Sequence, residues 1–168
     1  SQRDQIQAVR VNSGCTVSMP TDSSMAHMFE GYANLKSVDL GGPEASGVLD
    51  TSGALDMSSM FKGCSSLTDL DISTIGTANV SDMHDMFNGC SSLASVDLSA
   101  FDTELVTDLS GMFGGCSALT SIDVSRFDTA RVSYMSGMFK GCGELTGLDV
   151  SAFNTGNVTN MREMFADC

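Results

Sequence analysis

Five aspartates recur in one setting: Asp39, Asp71, Asp97, Asp123 and Asp149 each stand between two aliphatic residues, as in Leu70-Asp71-Ile72 and Val96-Asp97-Leu98. Ser73, Ser99, Ser125 and Ser151 follow the last four of them two residues on. In an extended segment a residue between two core-facing neighbours points to the opposite face, so the carboxylates should form one column and the hydroxyls a second. Parallel strands lie about 4.8 Å apart, and like charges at that spacing repel. The ordinary resolution is a hydrogen bond from the serine or from turn backbone to each carboxylate. The functional alternative is a charged face that attracts a basic partner or a hard cation such as calcium, which takes oxygen ligands. Calcium is the weaker version, because one aspartate per strand supplies few ligands per ion. The expected binding residues are therefore these five aspartates with Ser73, Ser99, Ser125 and Ser151.

No other residue set points to catalysis. Cys64, Cys90, Cys116, Cys142 and Cys168 are evenly spaced, so their side chains should point the same way rather than at one another, which is poor disulfide geometry. No C-x-x-C pair and no Cys/His spacing of a zinc site occurs, and buried thiols acting as small apolar residues are expected. Cys15 lies outside the series. His27 and His84 fall where other copies have Ser, Gly or Arg, and read as solvent-facing. Asp102 and Asp128 sit in turns, where capping of the turn backbone explains them. Thr77, Thr103, Thr129 and Thr155 read as an exposed column; a flat threonine ladder can order water, but the curvature expected below argues against that use. With no nucleophile–base pair, phosphate loop or metal cluster, an enzyme is not expected, and no cofactor is assigned beyond the calcium alternative.

The elements that must position these side chains follow from a repeat. Met-Phe occurs at Met60-Phe61, Met86-Phe87, Met112-Phe113, Met138-Phe139 and Met164-Phe165, always 26 residues apart, with an earlier copy at Met28-Phe29 set 32 residues before Phe61. A fixed period of this length marks a solenoid whose copies bury their apolar faces against each other. Val80, Met83, Phe87 and Cys90 fit one face of a short helix. Ser81, Thr107, Ser133 and Thr159 stand at the N-cap position, and Gly31, Gly63, Gly89, Gly115 and Gly141 at the left-handed C-terminal stop. The second half, Leu93-x-x-Val96-x-Leu98 and its equivalents, is a strand with the leucine-rich core pattern. The expected fold is an α/β solenoid: a right-handed, leucine-rich-repeat-like coil with one short parallel strand and one short helix per 26 residues. Helices need roughly 8–10 Å and strands less, so the strand side should be concave.

The run M-F-x-G-C-S-S-L-T-x-L-D-[IVL]-S-x-F-D-T-x-x-V resembles the 26-residue repeat of bacterial surface proteins, the BspA-like leucine-rich group, over Met25 to Cys168. The resemblance implies an extracellular, cell-surface recognition or structural role and no catalytic residues. Tyr32 replaces cysteine in the first copy, and an insertion runs from Gly41 to Leu49.

Residues 1–23 read as an N-terminal cap and 24–168 as five to six repeats, the last incomplete. In the cap, Val9-x-Val11 and Thr16-Val17 suggest a hairpin over the first coil. Met161, Met164 and Phe165 would stay partly uncovered at the other end, and a chain running on past Cys168 is the favoured explanation. The start at Ser1 suggests processing or a longer parent. A net charge of −13, a pI near 4.1 and eight unclustered Lys and Arg argue against nucleic acid and anionic membrane surfaces. No apolar run approaches the roughly 18 residues of a membrane span, and no signal peptide is evident. The expected function is adhesion or protein recognition at the cell surface through the concave strand face, with a protein or surface-glycan ligand of basic character. The alternative is a subunit of an extracellular filament or surface layer that self-associates end to end.

Overall fold

The structure, a computed structural model, describes residues 2–11, 16–18, 24–40 and 48–168. It is rich in parallel pairing and poor in helix. A 3-10 turn, η1 (Gln2–Gln5), is the only helical element among the described residues. Strands β1 (Ala8–Arg10), β3 (Ser37–Asp39) and β5 (Asp69–Asp71) form a parallel sheet, and β2 (Thr16–Ser18) pairs in parallel with β4 (Val48–Asp50). The expected hairpin is therefore not formed. The stretches meant to pair with each other instead each join a strand from further along the chain. Cys15 and the insertion residues 41–47 lie outside the described residues.

The helix expected in each copy is also absent, and the reason is visible in the backbone. Met83, Asp85, Phe87 and Gly89 donate their N–H groups to the carbonyls of Asp108, Ser110, Met112 and Gly114 in the next copy, at 3.1, 2.8, 2.9 and 2.7 Å. The amides between them close tight local turns, Met86 to Met83, Asn88 to Asp85 and Cys90 to Phe87. Alternate amides thus face the neighbouring copy, which an α-helix does not permit. Left-handed residues produce this alternation: φ is +55° at Asp85 and +76° at Gly89, and their equivalents Gly111, Gly137, Gly115 and Gly141 share the sign. The i, i+3, i+7 spacing that imitates a helix is the spacing of this chain of turns.

Parallel bridges run unbroken along this half, from Ser24 through Asp56, Asp82, Asp108 and Tyr134 to Asn160. The proposed N-caps serve the same stacking: Thr107 donates both its amide and its hydroxyl to the Ser81 carbonyl, at 2.9 and 3.1 Å. The proposed stop glycines do adopt φ near +75°, but a Cβ on Gly89 would stand 3.5 Å from the backbone of Gly63. They sit in a column where backbone lies on backbone.

The core fills the space between the two halves. Phe61, Phe87, Phe113 and Phe139 are fully buried, and their rings stack on each other with centroids 5.5–5.6 Å apart. Leu67, Leu93, Leu119, Met83, Met86, Met135 and Met138 close around the stack with no exposure. Of the end residues, Met161 and Phe165 are 47% and 49% exposed, whereas Met164 is buried. At the other end, Arg3 donates to the Glu30 carbonyl and lies over the Tyr32 ring, and Asn34 donates to the Asp4 carbonyl. With no α-helix among the described residues to hold one side of the stack apart, the expectation of a concave strand side loses its premise.

Candidate functional site

The aspartate column begins on the sheet. Pairing places Arg10, Asp39 and Asp71 in one row, and Arg10 Nε meets Asp39 Oδ2 at 3.2 Å. A groove runs along Val9, Arg10, Val38, Asp39, Asp69 and Asp71. Beyond β5 the copies at 95–97, 121–123 and 147–149 follow the same path without forming strand ladders. Asp97, Asp123 and Asp149 are exposed there, while Leu98 and Val124 beside them are buried.

Each aspartate after Asp39 is held by its serine partner. Ser73 donates both amide and hydroxyl to Asp71 Oδ1, at 3.0 and 2.7 Å. The amides of Ser99, Ser125 and Ser151 donate to Oδ1 of Asp97, Asp123 and Asp149, all at 2.9 Å. Asp50 and Ser52 repeat the motif after β4. The Ser99 amide and then its hydroxyl hold the Asp97 carboxyl below its ordinary range, and the hydroxyls and amides of Ser125 and Ser151 do the same for Asp123 and Asp149. The charge on Asp123 works in the opposite direction on Asp149. The structure thus joins Asp71, Asp97, Asp123 and Asp149 with Ser73, Ser99, Ser125 and Ser151 in one Asp-x-Ser series of oriented carboxylates, whereas Asp39, which has Gly41 two residues on, pairs with Arg10.

The threonine column is the clearest correction. Thr77, Thr103 and Thr129 are buried, and only Thr155 is exposed. Thr77 Oγ1 donates to the Asp102 carbonyl at 2.8 Å and accepts the Asp102 amide at 2.7 Å; Thr129 makes the same pair of bonds with Asn154. These hydroxyls are rungs between copies and present no ladder to water. Asp102 and Asp128 cap their turns as expected, accepting the amides of Glu104 and Ala130 at 3.0 and 2.9 Å.

The thiols also do more than fill space. Cys64, Cys90, Cys116, Cys142 and Cys168 donate Sγ–H to the carbonyls of Phe29, Phe61, Phe87, Phe113 and Phe139, at 3.1–3.2 Å. Burial pushes the Cys64 and Cys142 thiols up to about 11 and Cys116 to about 12, with Cys90 raised as well, so they are protonated donors at neutral pH. Cys168 is exposed.

Sequence reading overlooked one cluster. His84 Nδ1 lies 2.8 Å from Asp82 Oδ1, and Asp108 of the next copy completes a group whose ligand-type atoms all lie within 4.8 Å of one another. Its signal is Asp-x-His with a further Asp one period on. The two histidines sit in different columns, His27 among the left-handed residues and His84 beside Ser58, Ser110, Ser136 and Arg162.

The profile of one protein family, described as "Mycoplasma protein of unknown function, DUF285", matches residues 23–122 and 92–168. The chain belongs to this family. No curated protein matches it. Among solved structures, the crystal structure of a T. pallidum leucine-rich repeat protein is similar, with 20% identity and a TM-score of 0.53 over 84% of this chain. That likeness concerns the fold, and this DUF285 chain spans 57% of the other's length. A leucine-rich-repeat-like architecture is thus common to the two, with parallel sheet and little helix in the present chain.

Proposed function

We propose that this chain is a right-handed solenoid of BspA-like type that works as an extracellular, cell-surface recognition module, its aspartate face binding a protein or surface-glycan ligand of basic character. The observation that carries the reading is the series Asp97, Asp123 and Asp149, exposed and locked into one turn geometry by Ser99, Ser125 and Ser151. Carboxylates fixed in advance lose little side-chain freedom on meeting a cation, and several weak contacts in series add up. A net charge of −13 favours approach of a basic partner over the whole surface.

The test is titration of an oligolysine peptide at low salt into the triple variant Asp97→Asn, Asp123→Asn, Asp149→Asn. Asparagine keeps the turn, because Asn154 Oδ1 and Asn160 Oδ1 already accept the amides of Gly156 and Arg162 at 2.9 and 3.0 Å. The control removes equal charge elsewhere through Asp102→Asn, Asp128→Asn and Glu144→Gln. Affinity should fall at least tenfold in the first variant and little in the control; equal losses would contradict a face-specific site.

The second reading is an extracellular filament or surface-layer subunit that self-associates end to end, since successive copies stack on one another through rings and backbone. Particles that lengthen with concentration in light scattering would support it, and a strictly monomeric protein would remove it.

A further inference from the structure

We propose that Asp82, His84 and Asp108 form a binding site for a divalent transition-metal ion, with zinc the best fit, at the junction of two successive copies. Three observations carry this, independently of the recognition role.

The first is placement. Asp82 and Asp108 are directly paired across the parallel bridge, so their Cα positions are fixed by backbone. Each carboxylate is oriented by an amide two residues on: His84 N–H donates to Asp82 Oδ1 at 2.9 Å, and Ser110 N–H to Asp108 Oδ1 at 2.7 Å. His84 Nδ1 lies 2.8 Å from Asp82 Oδ1, and one ligand atom of each of the three residues lies within 4.8 Å of the others. Bonds of about 2.0–2.2 Å to a tetrahedral ion place ligand atoms roughly 3.3–3.6 Å apart, a change that small side-chain rotations supply.

The second is the donor set. One imidazole nitrogen and two carboxylate oxygens suit a borderline ion such as zinc, whereas calcium and magnesium prefer oxygen throughout. The His84 and Asp82 side chains are 41% and 36% exposed, so solvent reaches the remaining coordination position.

The third is singularity within a repeat. The same two columns hold Ser24 and Ala26, Asp56 and Ser58, Tyr134 and Ser136, then Asn160 and Arg162. Among the described residues only this junction faces an imidazole with carboxylates from two copies. A bound ion would tie the copies together by a contact that their hydrogen bonds do not provide.

The experiment is calorimetric titration of the whole chain with zinc chloride, repeated with calcium chloride, and optical titration with cobalt(II). One equivalent of zinc should bind, with affinity reduced at least tenfold in His84→Asn and in Asp108→Asn and unchanged in His27→Asn, whose imidazole meets Glu30. Both variants alter partly exposed side chains, and circular dichroism checks that each is folded. Zinc should raise the unfolding midpoint of the wild type and not that of His84→Asn. Absence of saturable zinc binding, equal binding by His84→Asn, calcium bound as tightly as zinc, or thiolate charge-transfer absorption with cobalt would each overturn the assignment.

Discussion

The two halves of each 26-residue copy solve one problem in different ways. In the half that contains Met-Phe, backbone amides at every second residue reach the next copy, and this continues from Met25 to Gly141. In the half that contains L-x-x-L-x-L, strand pairing stops at β5 and backbone bonds between copies become sparse, as from Thr120 to the Ala94 carbonyl; side chains add to them, with Thr77, Thr103 and Thr129 bridging backbone groups and Asp-x-Ser turns closing on themselves. The first half stacks through features any residue possesses, provided left-handed positions are tolerated. The second depends on particular hydroxyls and carboxylates. Its exposed carboxylates are thereby left facing solvent at fixed positions.

Loss of a ring from the buried stack should destabilise the protein most. Phe113→Ala removes a buried ring stacked at 5.5 Å on Phe87 and 5.6 Å on Phe139, and should cost about 3–5 kcal/mol in urea unfolding. Thr77→Val should cost about 2–3 kcal/mol by leaving the Asp102 amide and carbonyl without their partner, while Thr77→Ser should retain most of it. An equal loss for Val and Ser would break the claim that hydroxyls hold the second half. Gly89→Ala places a side chain at φ +76° against the Gly63 backbone and should cost about 1–2 kcal/mol. Cys116→Ala should cost about 1 kcal/mol, for loss of the bond to the Phe87 carbonyl. In the native protein Cys168 should react with a thiol reagent well before Cys64, Cys90, Cys116 or Cys142.

The smallest effect is set by pH. The carboxyls of Asp97, Asp123 and Asp149 lie below their ordinary value of 3.8 in the folded chain. Their contribution to stability is present above that value and is lost as pH falls through the lowered ones. Melting temperatures followed from about pH 5 to pH 2 should show a shallower acid decline in the triple asparagine variant than in the wild type.

Much of this was legible in the sequence. The period placed Phe87, Phe113 and Phe139 in one column, and Asp-x-Ser spacing anticipated the turn that holds each carboxylate. The chain of turns was not legible, because Met83, Phe87 and Cys90 at spacings of four and three suit an α-helix and a run of tight turns equally. The distinguishing sign was local: Gly111 and Gly137 fall inside the supposed helix, where glycine is a poor choice, and the structure gives both positive φ. The buried threonines were misread because polar type was taken as exposure. Their constant place just after the turn, where a backbone pair from the next copy needs a partner, was the clue. The Asp82, His84 and Asp108 group was hidden because its members meet only after the chain has run a full period.

Amides of the Met-Phe half bond to the next copy rather than back along a helix. Scalar couplings across hydrogen bonds, measured by NMR on isotopically labelled protein, test it directly. The structure predicts correlations from the amide nitrogen of Phe87 to the carbonyl carbon of Met112 and from Gly89 to that of Gly114. A correlation from Phe87 to the carbonyl of Met83, the helical partner four residues back, would contradict it.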